Sequence, residues 1–190
     1  MKKILIPLFI LLSLNLSAQK VINIQPLGDV SPDVINVIIS SVQTFYGYKC
    51  VVKPKVGFTK DILADSRTRY EASRILSKFN SKQNLLIITE KDIACQKDNV
   101  HEWGIFGLGY RPGVTCVVST FRIKRKVSQD VFNDRLIKIC LHEIGHNLGL
   151  NHCKSGDRRC MMNDADGTIK TVDGEQIFFC KNCWKLIGKN

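Results

Sequence analysis

Histidine is scarce in this chain, with four in 190 residues. A site built on several imidazoles has little to draw on, so any close spacing among those four carries weight. Long hydrophobic runs are missing too. The main apolar stretch, Ile4 to Leu12, contains Pro7, is followed by Ser13 and Asn15, and falls short of the ~20 residues a helix needs to cross a bilayer. That argues against stable membrane insertion, and no cysteine follows closely enough to suggest a lipid-modified terminus. Acidic residues are few: 17 Asp and Glu against 28 Lys and Arg give a net charge of +11. The basic excess is scattered over Lys53, Lys55, Arg67, Arg69, Lys124 to Lys126, Arg158 and Arg159, with no aromatic residues interleaved. Such a surface is solvated and attractive to anionic partners, and it lacks the stacking platform of a single-strand nucleic-acid binder.

Lys2 and Lys3, the apolar run and the small polar end at Ser17-Ala18 together read as a secretory signal peptide over residues 1–18. Cleavage before Gln19 takes the net charge to +9 and predicts an exported protein, periplasmic or secreted. The remaining residues, 19–190, suffice for one domain with a real core and are too few for two.

Three of the four histidines fall within eleven residues, as His142-Glu143-x-x-His146-x-x-Gly149-x-x-His152. Residues four apart on a helix are offset by only about 40° and about 6 Å, so His142 and His146 present their imidazoles to one point. Glu143 is turned about 100° from His142, which places its carboxylate beside that point rather than on it. Gly149 can take the left-handed conformation that ends a helix and bring His152 back as a third ligand. Three ligands with a fourth position for water are the arrangement of a catalytic zinc.

Upstream, Val21 to Leu27 reads as a strand closed by Pro26 and Gly28. Ser31-Pro32 starts a helix whose apolar positions run to Phe45 and stop at Gly47. A strand is predicted over Tyr48 to Val56, a helix from about Thr68 to Asn80 with Tyr70, Ile75, Leu76 and Phe79 inward, and a doubly buried strand over Leu85 to Thr89. Gly104 to Leu108 and Val114 to Thr120 read as a hairpin turning at Tyr110 to Gly113, whose edge could accept an extended peptide or simply pack. The motif helix is predicted from Asp130 to Leu150, apolar nearly all round from Val131 to Leu148. The fold class is α/β: a mixed twisted sheet with helices, a central zinc helix and a small cysteine-bound C-terminal lobe.

Cys153, Cys160, Cys180 and Cys183 crowd the C-terminal end, while Cys50, Cys95, Cys116 and Cys140 are dispersed, Cys140 as a small buried apolar residue. Four thiolates could close a tetrahedral zinc shell, and in an exported protein two disulfides compete with it. A thioredoxin-like use of Cys180 and Cys183 needs a long following helix, and too little chain remains.

The histidine motif, followed by Cys160-Met161-Met162 and, seventeen residues on, Cys180-x-x-Cys183, resembles the signature of the archaemetzincin metallopeptidases. The match spans Cys140 to Cys183; the segments at Arg69-Tyr70 and from Phe106-Gly107 to Ser119 are similar but less specific. The resemblance implies two zinc ions per chain: a catalytic one on His142, His146 and His152 with Glu143 as general base, and a structural one on Cys153, Cys160, Cys180 and Cys183. It makes Met162 the methionine of the turn beneath the catalytic metal, and it suggests a peptide substrate, short and trimmed from its amino end. The gap between Cys153 and Cys160 is longer than the family spacing, with Gly156-Asp157 placed to form a wider loop. A monomer is expected, and the alternative to an enzyme is a zinc-stabilised binding module without catalysis.

Overall fold

A computed structural model describes residues 19–188, so the leader expected over residues 1–18 lies outside the described residues. Strand β1 spans Val21–Leu27 and helix α1 Pro32–Tyr46. Ser31 caps α1 by accepting from the Asp33 N–H at 3.3 Å, and Gly47 ends it at φ 71°, a conformation that costs a residue without Cβ little. Strand β2, Lys49–Val52, is shorter than the sequence predicts. Beyond it Pro54 supplies no N–H, and pairing resumes only as an isolated bridge from Val56 to Leu27.

The helix expected from Thr68 begins later. Tyr70–Glu71 form strand β3, and α2 covers Ala72–Lys78. Tertiary pairing overrides the helical period here: Tyr70 bridges to Ile93, and Arg69 binds Asp92 at 3.0 Å. Strand β4, Leu85–Thr89, is buried at every position. Next comes β5, Ile93–Lys97, which the sequence reading did not anticipate. It pairs with β6, Val100–Ile105, and with β3 in a three-stranded sheet. The expected first hairpin strand therefore divides near Phe106. Its second part, β7 (Gly107–Gly109), pairs antiparallel with β8 (Thr115–Ser119) in the main sheet.

The main sheet runs β2-β1-β4-β8-β7, parallel except for β7 at one edge. Its alternation divides the apolar side chains into two layers. Ile22, Ile24, Leu86, Ile88, Cys116 and Val118 join the core formed with α1 and with α3, Gln129–Asn147. Leu85, Ile87 and Val117 join the opposite core with Ile75 and Leu76 of α2.

Helix α3 departs from the all-apolar expectation at both extremes, since Val131 is 40% exposed whereas Arg135 and Lys138 are buried. The Arg135 guanidinium donates to both oxygens of Asp173, at 2.6 and 2.7 Å, which ties α3 to the short helix α4, Ile169–Gly174. The C-terminal segment ends in α5, Lys181–Leu186. It packs on the same core, with Phe45 edge-on to Phe179 and stacked on Trp184.

Candidate active site

Ser128 caps α3, accepting from the Val131 N–H at 3.4 Å. The helix then runs through His142 and His146 and ends at Asn147. Gly149 follows at φ +98°, and the Leu150 N–H returns to the Gly145 carbonyl at 3.0 Å. This reversal is what the sequence assigned to Gly149. It brings His152 to the other two histidines, the three offering ligand atoms within 4.8 Å of one another.

The second nitrogen of each ring is engaged. His142 Nδ1 donates to the Met161 carbonyl at 2.6 Å, and His146 Nδ1 donates to the Leu150 carbonyl at 2.7 Å. A carbonyl can only accept, so these contacts place the hydrogen on Nδ1 and leave Nε2 with a free lone pair. The two Nε2 atoms approach to 2.9 Å. His152 Nδ1 lies 3.3 Å from the Asp164 carboxylate. Burial holds His142 down at about 3 and also lowers His146, so both rings are neutral as metal ligands must be. Neutral nitrogens converging on one point, each oriented from behind, fit a zinc ion.

Glu143 is buried beside this point, and burial pushes its carboxyl up to about 8. Its Oε2 has no hydrogen-bond partner among the described residues. Strand β7 covers it: a Cβ on Gly107 would lie 2.6 Å from Glu143 Oε1, and one on Gly109 would lie 2.8 Å from the Glu143 carbonyl. The glycines of β7 thus let an edge strand approach the carboxylate more closely than any side chain allows. The sequence shows the glycine enrichment, but only the fold reveals what those positions face.

Met162 is fully buried under α3, and a Cβ on Gly145 would meet its Sδ at 2.7 Å. Its neighbour Met161 supplies the carbonyl that holds His142, so the turn and that imidazole are mechanically linked.

The four C-terminal cysteines also converge. Cys153 and Cys180 Sγ are 3.5 Å apart, Cys180 and Cys183 3.6 Å, and Cys160 and Cys183 3.8 Å. A disulfide requires about 2.05 Å, whereas four thiolates at about 2.3 Å from one zinc are about 3.8 Å apart along a tetrahedron's edges. The separations fit the metal and not two bridges. The long Cys153 to Cys160 loop is absorbed outward, with Gly156 at φ +77° and in open space. Cys50, Cys95, Cys116 and Cys140 are free thiols, and Cys140 is buried as expected.

A cavity of about 550 Å³ opens over the histidines. Its walls include β7, Cys95, Trp103 and the segment after Met162 from Asn163 to Gly167. Val172, Glu175 and the buried Lys138 of α3 also line it. Sequence reasoning missed Trp103, Lys138 and Glu175, which carry no motif and are brought here by β6, the helix face and α4.

Peptidase family M54 matches this chain over residues 63–189. The archaemetzincin of Halobacterium salinarum strain R1 is 31% identical over 177 residues, covering 87% of this chain and 98% of the relative. That of Methanocaldococcus jannaschii is 29% identical over 170 residues, with coverage of 86% and 90%. Among solved structures, archaemetzincin from Archaeoglobus fulgidus complexed with malonate superposes with a TM-score of 0.76 at 28% identity, covering 87% of this chain and 99% of its own. Archaemetzincin from Methanopyrus kandleri shares the fold, with a TM-score of 0.76 at 22% identity.

Proposed function

Since the chain belongs to peptidase family M54, the archaemetzincin zinc metallopeptidases, we propose that it hydrolyses short peptides at the histidine cluster of α3. His142, His146 and His152 hold a catalytic zinc, and Glu143 is the general base. The observation that carries this reading is the convergence of three imidazoles, each held through its Nδ1, next to a buried carboxylate. Held by His142, His146 and His152, a zinc ion would supply the Lewis acidity that activates water near neutral pH.

Glu143 takes the proton from the attacking water on its carboxylate and returns it to the leaving amine nitrogen. Gly107 and Gly109 set that carboxylate in place from the β7 side. Among the described residues β7 is the edge strand of the main sheet, and an extended peptide paired along it would lie along the cavity wall. Hydrolysis from the amino end is the narrower form of the proposal.

Cys153, Cys160, Cys180 and Cys183 hold a second, structural zinc, for which the sulfur separations are the support. Met162 is the methionine of the turn beneath the first. Export after cleavage near Ala18, and a monomeric state, complete the proposal; a mature N-terminus beginning at Gln19 tests the former. The central test is Glu143→Ala: zinc content stays at the wild-type value while peptide hydrolysis is abolished, and retained hydrolysis in a clean preparation refutes the role of Glu143.

A further inference from the structure

The inner wall of the cavity carries a carboxylate that the proposed chemistry does not use. Glu175 lies just beyond α4, is 6% exposed and lines the cavity, and its Oε1 has no hydrogen-bond partner among the described residues. A buried carboxylate oxygen left without a donor is costly, and such groups in native structures normally find a partner in protein, water or a bound group.

The other charges of the cavity are accounted for differently. Asp166 is paired with Lys97, and Asp164 sits against His152. Lys138, which acts electrostatically on Glu175, has its donors engaged elsewhere: its Nζ donates to Asp134 at 2.6 Å and to the Val172 carbonyl at 3.1 Å. Arg111 has no ion pair among the described residues, but it acts electrostatically on His146. His146 is two helical turns from Lys138, about 12 Å along α3. Lys138 therefore acts on Glu175 only through its field, and Asn163 donates to the carboxylate, while Oε1 is left without a donor.

We propose that Glu175 determines specificity by receiving a positively charged group of the bound peptide. The group is an ammonium or guanidinium, from a lysine or arginine side chain or from the peptide's amino terminus. The proposal rests on the peptidase reading for its substrate, and on the cavity wall alone for the recognition. The donor supplies the hydrogen bond that Oε1 lacks, and a charge-assisted bond in a site shielded from water is strong enough to discriminate by roughly tenfold or more.

The test uses the zinc-loaded, full-length mature protein and peptides differing at one residue, lysine against norleucine, each with a free or an acetylated amino terminus. Binding is measured by calorimetry on the Glu143→Gln variant, and kcat/KM on the wild type. The expected result is at least tenfold tighter binding of the peptide bearing the cation. Preference for lysine over norleucine assigns the side chain, and preference for the free over the acetylated terminus assigns the amine. Introducing the isosteric Glu175→Gln into both backgrounds should erase the discrimination among the four peptides.

Equal binding of all four peptides by the variant that retains Glu175 overturns the proposal, and that result depends on no change at position 175. So does a Glu175→Gln protein that keeps the discrimination. Discrimination in binding with no hydrolysis by the wild type retains the recognition and rejects the peptidase reading, so the two failures are distinct.

Discussion

Gly107→Ala places a methyl group against the proposed general base while leaving every proposed ligand untouched. An ideal Cβ at residue 107 lies 2.6 Å from Glu143 Oε1, 2.7 Å from Cγ and 2.9 Å from Cδ. Unstrained carbon contacts begin near about 3.5 Å, so the carboxylate or the strand must give way by roughly 1 Å. Retreat toward Gly109 is restricted, because β7 passes close to Glu143 there too: a Cβ at Gly109 would lie 2.8 Å from the Glu143 carbonyl and 3.3 Å from Oε2. Misplacing a catalytic group by about 1 Å costs on the order of 100-fold, and kcat/KM should fall by that factor. Overpacking costs about 1–3 kcal/mol of stability, offset in part by the lower entropy of an unfolded chain that has lost a glycine. The protein should therefore remain folded. The assay is kcat/KM on a fluorogenic peptide, with zinc content and thermal unfolding measured on the same preparation. Gly57→Ala, which meets nothing within 4 Å, is the control and should behave as wild type. A folded, zinc-loaded Gly107→Ala protein with kcat/KM within threefold of wild type would refute the close packing of β7 on Glu143. Loss of zinc in step with activity would show that the methyl group acts on the ligands instead.

Gly145→Ala drives a methyl group toward Met162 Sδ and should displace the turn whose Met161 carbonyl holds His142. Zinc affinity should drop by about 10- to 100-fold, as measured by chelator competition, and a gain in stability with unchanged affinity would contradict that linkage. Elemental analysis should give two zinc ions per chain, and thiol titration after denaturation should find all eight cysteines reduced; two disulfides among Cys153, Cys160, Cys180 and Cys183 would remove the structural metal. Burial raises the Glu175 carboxyl from 4.5 to about 7. Below pH 4.5 it is protonated whether the chain is folded or not, and as pH rises toward 7 the unfolded chain gives up its proton first, so stability falls across that window. Glu175→Gln should therefore gain on the order of 2 kcal/mol relative to wild type between pH 4.5 and pH 7.5, read by urea unfolding at each pH; a constant difference would reject the raised value.

Much of the site is legible in the sequence because the helical period and one glycine dictate it. Two histidines four apart share a helix face whatever packs around them, and Gly149 turns the chain back as its residue type allows. The strands buried on both faces, β4 above all, are equally legible, since four successive apolar residues ending in Thr89 leave few alternatives. Strand β5 escaped because Ile93 to Lys97 passes from apolar to polar without alternation, and because its pairing with β3 and β6 is a property of the assembled fold.

The residues that shape the cavity escaped for a related reason. Lys138 and Arg135 look like solvated charges on a helix, and in most proteins that is what such residues are. Here both are buried because α4 folds over α3 and supplies their partners, Asp173 to Arg135 and the Val172 carbonyl to Lys138. The same segment delivers Glu175 to the cavity wall. The proposed catalytic ligands are held by spacing within one helix and its turn, whereas the groups that would choose a substrate come from a segment some thirty residues further on. The motif can therefore announce the reaction while remaining silent about what reacts. A close relative that kept His142 to His152 and lost Glu175 would be expected to retain the chemistry and lose the preference for a cationic peptide.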